Sequence, residues 1–245
     1  MAPMETVLCF DFGNTRLKCG IFIDGRLRET RVLENDQPST VRPLLEEFHP
    51  DKTVLASVVH HHPELESLLR AHSRFHILSH LSKSPLSTPV GKAETIGADR
   101  LAMMAGALAR FPRVHILVIG LGSAITYNFV DKYGEFLGGS ISPGMEMRFK
   151  SLHHYTAKLP LVEADWNYPL IGMDTRTNIL SGVLMGMAKE VDGVIGAYHD
   201  KYEGLEVIMT GGDTLFFSTH LAQPAHIDPD LVFKGLYLIS QWNIT

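Results

Sequence analysis

The sequence predicts an α/β protein made of two similar halves. Two observations carry this. Short apolar runs suited to buried strands alternate with amphipathic stretches of helical period. A pair of glycine turns also recurs at one offset: 109 residues separate Gly13 from Gly122 and Gly25 from Gly134. At that offset Asp11 falls on Gly120, Asn14 on Ser123 and Thr15 on Ala124. Each half therefore opens strand, glycine turn, strand, glycine turn, strand, and a duplicated fold of this kind places a ligand cleft between its lobes. The expected lobes are residues 1–110 and 111–245.

The elements follow in order. Residues 6–11 read as a buried strand and 15–23 as its neighbour, closed by the Asp24-Gly25 turn and followed by a strand over 27–33. Residues 39–48 read as a helix capped by Ser39 or Thr40. A strand over 53–59, a helix over 63–71 and a short strand over 75–78 come next. The spacing of Leu101, Met104, Ala105 and Leu108 predicts a helix over 96–110, stopped by Pro112. Residues 114–119 form an apolar run of strand length, and 124–131 and 135–140 are the next two strands. Helices are expected over 144–155 and 177–202, a strand over 205–210 and a closing helix over 229–242.

Composition narrows the classes of function. Of 245 residues, 45% are hydrophobic and 20% charged, which suits a folded chain with a large core and excludes disordered and fibrous classes. Lys plus Arg total 22 against 27 for Asp plus Glu, a net charge of -5. That balance argues against nucleic-acid binding, which needs cations to neutralise phosphates. It leaves room for a local basic pocket. Cys9 and Cys19 lie in strand-like runs and read as reduced core thiols. The opening MAPMETVLCFDFGNT lacks a basic leader, and no apolar run reaches the roughly 18 residues of a membrane span. A cytoplasmic protein without a membrane partner is the expectation.

Five motifs can carry chemistry. In Asp11-Phe12-Gly13-Asn14-Thr15 an acid stands at the end of a buried strand, where it needs a cation or donors. Gly13 admits a ligand close to the backbone, and Asn14 and Thr15 add donors. Such a turn can cradle a phosphate with Asp11 facing Mg²⁺ directly or through water, or it can be a plain turn with Asp11 capping local N–H groups. Gly120-Leu121-Gly122-Ser123-Ala124 repeats the geometry without an acid. Neither a Walker loop nor a complete G-x-G-x-x-G is present. Gly97-Ala98-Asp99-Arg100 opens a helix, so Asp99 and Arg100 point apart. Asp99 can accept a hydroxyl proton and Arg100 can hold an anion, or the two can be a helix-dipole partner and a surface cation. Gly138-Gly139-Ser140-Ile141-Ser142-Pro143-Gly144 offers backbone donors before a helix. Thr210-Gly211-Gly212-Asp213 follows a strand, where α/β sites form. The consecutive His60, His61 and His62, like His153-His154, do not converge on one metal ion.

Together these motifs resemble the type III pantothenate kinases of the acetate/sugar kinase–Hsp70–actin superfamily. The likeness runs through DFGNT, TIGADRLA, GLGSAIT, GGSISPGMEMRFKSLHHYTAKLP, DTRTNILSG and TGGD, in that order. It implies a duplicated ribonuclease-H-like fold, two lobes with mixed sheets flanked by helices. It also implies transfer of the ATP γ-phosphate to the primary hydroxyl of pantothenate, giving 4′-phosphopantothenate, the first step of coenzyme A synthesis. By that resemblance Asp11, Gly13, Asn14, Thr15 and Lys18 belong to the turn on the ATP phosphates, with Asp11 near Mg²⁺, and Gly122 and Ser123 contact ATP. Gly97, Ala98 and Arg100 bind pantothenate, Asp99 is the general base, and Thr175 contacts pantothenate. The resemblance further implies a homodimer and a need for K⁺ or NH₄⁺.

The sequence departs from the family pattern at four positions. The acid that holds the monovalent cation in the family is Gly120 here, which has no side-chain oxygen, and Ser123 replaces a Thr. A Tyr that packs on pantothenate is Val90. Asp174 replaces an amide beside Thr175. Since Asp11, Asp99 and Arg100 are retained, the expected activity is that of a pantothenate kinase with weakened or altered cation dependence. The alternatives are a catalytically weakened homologue acting as a ligand-binding or regulatory accessory protein, and a superfamily enzyme acting on another small molecule.

Overall fold

A computed structural model describes residues 5–89 and 91–244 of the chain. The expected role of Val90 in the substrate pocket lies outside the described residues.

The first half opens with β1 (Thr6–Phe12), β2 (Leu17–Ile23) and β3 (Arg26–Leu33). It continues through α1 (Pro38–Phe48), β4 (Lys52–Ser57), α2 (Leu65–His72) and β5 (Arg74–Ile77). The sheet order is β3-β2-β1-β4-β5. The β1–β2 and β2–β3 pairs are antiparallel, whereas β1–β4 and β4–β5 are parallel. Flanked on both sides, β1 buries most of its residues, while the edge strand β3 exposes charges along its length. Leu8, Phe10 and Phe12 alternate onto one face of β1 and join Val41, Leu44 and Leu45 of α1 and Leu65, Leu68 and Leu69 of α2 in one core.

After α3 (Ala98–Arg110) the pattern repeats with β6 (Ile116–Leu121), β7 (Ala124–Val130) and β8 (Phe136–Pro143). Then come α4 (Met145–His154), α5 (Thr175–Leu180), α6 (Gly186–Lys201), β9 (Glu206–Thr210), α7 (Thr214–Ser218), β10 (His226–Ile227) and α8 (Leu231–Asn243). The second sheet runs β10-β9-β6-β7-β8, the first order read from its other edge. The duplication reaches the backbone: Gly25 and Gly134 close matching turns at φ +76° and +83°. The carbonyl of Phe12 accepts the Val58 N–H at 3.0 Å, and 109 residues on (12 to 121) the carbonyl of Leu121 accepts the Asp213 N–H at 3.1 Å.

Differences from the sequence expectation have local causes. β2 starts at Leu17 because the Gly13 N–H bonds the Arg16 carbonyl at 3.1 Å and closes a turn over 13–16. The helix expected over 96–110 begins at Ala98, after a 3₁₀ turn over Ala93–Thr95. The helix expected over 177–202 starts earlier, at Thr175, and a π-helical turn over Ser181–Met185 separates α5 from α6. The two short elements α7 and β10 carry no periodicity that a sequence reading could detect.

The chain divides into two compact units, one of Met1–Arg113, Asp131–Leu137 and Asp230–Thr245, the other of Val114–Val130 and Gly138–Pro229. A single cut after residue 110 would place α8 in the second half, whereas α8 packs on α3 in the first unit. That packing is close because both helices present glycine. A Cβ on Gly235 would lie 1.8 Å from the Ala102 carbonyl oxygen, and one on Gly106 would lie 2.7 Å from that of Leu231. Among the described residues no helix is long and apolar enough to cross a membrane.

Candidate active site

In the first unit Asp11 stands one residue before the end of β1, on the face opposite Phe10 and Phe12. Its neighbours in register are Lys18 on β2 and Ala56 on β4. Asn14 and Thr15 form the exposed tip of the 13–16 turn, and Gly13 lies partly buried at its base. The turn residues named from the sequence therefore share one corner of the sheet.

Asp99 and Arg100 occupy the first turn of α3, behind the buried Ala98. The Asp99 carboxylate folds back so that Oδ1 accepts the Arg100 backbone N–H at 2.8 Å. Gly97 makes this rotamer possible, since a Cβ there would lie 2.6 Å from that oxygen. The Arg100 guanidinium lies over the Phe136 ring, 5.5 Å from its centroid. Burial lowers the Arg100 pKa, an effect opposed by the charge of Asp99.

Asp11 feels the charge of Asp99. Burial first, and then the charge of Asp99, push the Asp11 carboxyl up to about 6, with Lys18 pulling the other way. Burial also raises Asp99, against the hydrogen bond and charge of Arg100. A pair of partly buried carboxylates with different partners is an arrangement that can divide cation binding from proton acceptance.

In the second unit the turn after β6 is closed by a Gly122 N–H bond to the Ala124 carbonyl at 3.1 Å. The Ser123 carbonyl accepts the N–H of Gly144, the N-cap of α4, at 3.2 Å. Gly120 pairs in register with Thr126 on β7 and Thr210 on β9. The hydroxyls of Thr210 and Thr214, either side of the Gly211-Gly212 turn, are buried and have no hydrogen-bond partner among the described residues.

Thr175 opens α5 and lines a cavity of about 610 Å³, shared with Arg148, Ser151, Leu159, Asn178 and Ile179. Asp174 is the N-cap of α5: its Oδ1 accepts the Thr177 N–H at 2.7 Å, and Thr177 Oγ1 accepts the Asp174 N–H at 3.1 Å. An acid in place of an amide beside Thr175 thus completes a capping box. Sequence reasoning missed both the cavity and the bonds that hold Arg148, because their residues come from separate elements without a shared motif. Of the histidines, His61 faces Glu66 at 3.3 Å, and the His62 N–H donates to Asp36 at 2.5 Å. Cys9 and Cys19 are buried free thiols, both raised by burial.

The two metal ions that the family resemblance implies fare differently. Mg²⁺ keeps most of its waters and takes one or two carboxylates plus phosphate oxygens, so the Asp11 carboxyl near the end of β1, beside the exposed 13–16 turn, fits it. Gly120 brings no side-chain oxygen, and among the described residues no three His, Cys, Asp or Glu side chains gather. The family's acidic ligand for K⁺ or NH₄⁺ therefore has no counterpart at this position.

Solved structures share this architecture. The chain aligns over 96% of its length with 97% of a Campylobacter jejuni protein assigned to the Baf family of transcriptional activators, at TM-score 0.59 and 22% identity. It aligns over 96% with 95% of the activator of the 2-hydroxyisocaproyl-CoA dehydratase from Clostridium difficile with bound ADPNP, at TM-score 0.53 and 12% identity. An inorganic polyphosphate/ATP-glucomannokinase from Arthrobacter sp. strain KM aligns at TM-score 0.50 and 15% identity, over 97% of this chain and 99% of that one. The fold is the duplicated ribonuclease-H-like fold of actin-like ATPases and sugar kinases.

Sequence likeness is more specific. Residues 7–197 match the family profile described as type III pantothenate kinase. The type III pantothenate kinase of Cytophaga hutchinsonii is 36% identical over 239 residues, covering 97% of this chain and 99% of that protein. That of Christiangramia forsetii is 37% identical over 240 residues, with 97% and 99% coverage. The chain belongs to the type III pantothenate kinase family.

Proposed function

We infer that this chain phosphorylates the primary hydroxyl of pantothenate with ATP, yielding 4′-phosphopantothenate for coenzyme A synthesis. The observation that carries the reading is the Asp11–Asp99 carboxylate pair, set beside a phosphate-type turn and Arg100 within a chain that spans nearly the whole of its kinase relatives.

Phosphoryl transfer asks the protein for positioning and charge neutralisation more than covalent chemistry. Asp11 would hold Mg²⁺ directly or through water, and the ion would neutralise phosphate charge. The 13–15 backbone, Lys18, Gly122 and Ser123 bind the ATP phosphates. Arg100, with Gly97, Ala98 and Thr175, anchors pantothenate. Asp99 accepts the hydroxyl proton at its carboxylate; burial, by raising its pKa, makes it a better base. The working form is a homodimer, in keeping with the apolar Leu161, Leu170, Ile171 and Met173 that the segment between α4 and α5 exposes.

The accessory-protein alternative rests on Gly120 and Val90 alone, and the kinase relatives favour catalysis over it. The test is a coupled ADP-release assay with Mg-ATP and pantothenate, with and without K⁺. Pantothenate-dependent turnover is expected in both salts, and no turnover in either would overturn the reading.

A further inference from the structure

Arg148 and Glu190 form a partly buried ion pair outside the residues given a chemical role above. Arg148 lies in the first turn of α4, and its side chain turns back toward the residues before the helix. Its Nε donates to the Pro143 carbonyl at 2.8 Å, and its Nη2 donates to Ser142 Oγ at 2.9 Å and to Glu190. Glu190 comes from α6, and its other oxygen accepts the Tyr127 hydroxyl of β7 at 3.0 Å. Three separate elements thus meet on one carboxylate.

What this network holds is the segment 142–144. Two of the groups that accept from Arg148 belong to it, and the next residue is Gly144, whose N–H bonds the Ser123 carbonyl. Gly144 also approaches so closely that a Cβ would stand 2.1 Å from the Gly122 carbonyl oxygen. Gly122 and Ser123 are the second glycine turn. The guanidinium is therefore one short, stiff backbone segment away from that turn. Burial pushes the Glu190 carboxyl up, but hydrogen bonds from Arg148, Ser142 and Tyr127 outweigh it and leave the group below the usual range. A buried ion pair is a weak source of stability compared with apolar packing, and its better-attested use is to fix one arrangement.

We propose that Arg148 and Glu190 are positioning residues for nucleotide binding, setting the backbone of Gly122 and Ser123 through residues 142–144. The inference rests on the reading that this turn holds ATP. Neither side chain touches the nucleotide.

The test is Glu190→Gln, which keeps the shape and the Tyr127 contact but removes the charge. Affinity for MgADP is measured by calorimetry without pantothenate, beside KM for ATP, kcat and thermal stability. The Kd and KM for the nucleotide should rise about tenfold, the size of one charge-assisted hydrogen bond, while kcat at saturating ATP stays within about twofold. Ser142→Ala removes one of the groups that accept from Arg148 and leaves the ion pair; it should shift Kd the same way by about threefold, and it carries the test if Glu190→Gln does not fold. Wild-type protein that binds no nucleotide would sink the kinase reading and this inference with it. Wild type that binds, with a folded variant that binds equally well, would overturn the positioning role alone.

Discussion

Asp99 repels Asp11 within the first unit, and that repulsion is second only to burial among the forces that lift the Asp11 carboxyl to about 6. Lys18, in register across the β1–β2 pair, offsets only part of it. A folded-state value above that of the unfolded chain means that the native state holds this proton more tightly. Ionising Asp11 therefore costs stability. The cost is absent below the unfolded value near 3.9, grows as pH rises to about 6, and is complete above that.

Asp11→Asn should consequently stabilise the ligand-free protein at pH 7.5 by about 1–2 kcal/mol, a figure reduced from the full shift for the solvent that reaches the group. The gain should shrink toward zero near pH 4. Urea unfolding of both proteins at several pH values reads this directly, and an advantage independent of pH would show that the Asp11 charge is not the cause. The same substitution should weaken Mg²⁺-dependent nucleotide binding, so stability and ligation move in opposite directions.

Asp99→Asn should lower turnover by about 10²- to 10⁴-fold, because an amide cannot take the hydroxyl proton. Nucleotide affinity should change little. Removing the Asp99 charge should also bring the Asp11 carboxyl down from about 6, since one of the forces raising it is gone. Wild-type kcat in this variant would disprove the base assignment, and an unmoved pH dependence of stability would disprove the electrostatic link.

Much of this corner was legible in the sequence because its signals are local. A strand, a glycine and a short polar residue occur together twice at one offset, and the two sheets repeat one strand order. What was not legible is long-range. Residues 131–137 and the final helix join the first unit through contacts such as Gly235 against Ala102, which no periodicity encodes. Likewise Tyr127, Arg148 and Glu190 meet from three elements, and each alone reads as an ordinary helix or strand residue. The π-helical turn at Ser181–Met185 is invisible for a related reason: its apolar spacing is that of the helices on either side.

Gly120→Asp should introduce both a cost and a cation response. The position lies in the central strand β6, buried between Thr126 and Thr210. A carboxylate there must lose water, so the variant should melt lower than wild type in a sodium or choline buffer. If a monovalent ion can then be held, K⁺ should recover part of the loss and stimulate turnover, whereas wild type should respond weakly to the same salt. Identical melting curves and rates of the variant in K⁺ and choline would refute the idea that Gly120 is what removes the ion.

Two glycine substitutions should separate space from backbone strain. Gly144 has an ordinary φ of -72°, so its requirement is room alone: a Cβ would lie 2.1 Å from the Gly122 carbonyl oxygen and 2.6 Å from that of Ser123. Neither atom can swing away as a side chain could, so Gly144→Ala must displace either α4 or the 122–123 turn. Overpacking of this kind costs about 1–3 kcal/mol. Because the turn is the ATP-binding one in the proposed function, nucleotide affinity should fall with stability. Gly204 is the opposite case, with φ +69° and open space within 4 Å of where a methyl group would stand. Gly204→Ala should cost about 1 kcal/mol through the left-handed backbone and leave the nucleotide Kd unchanged. Calorimetry with MgADP beside thermal melts of both variants decides the matter: equal effects on Kd, or none from Gly144→Ala, would mean that the Gly144 contact does not shape the nucleotide site.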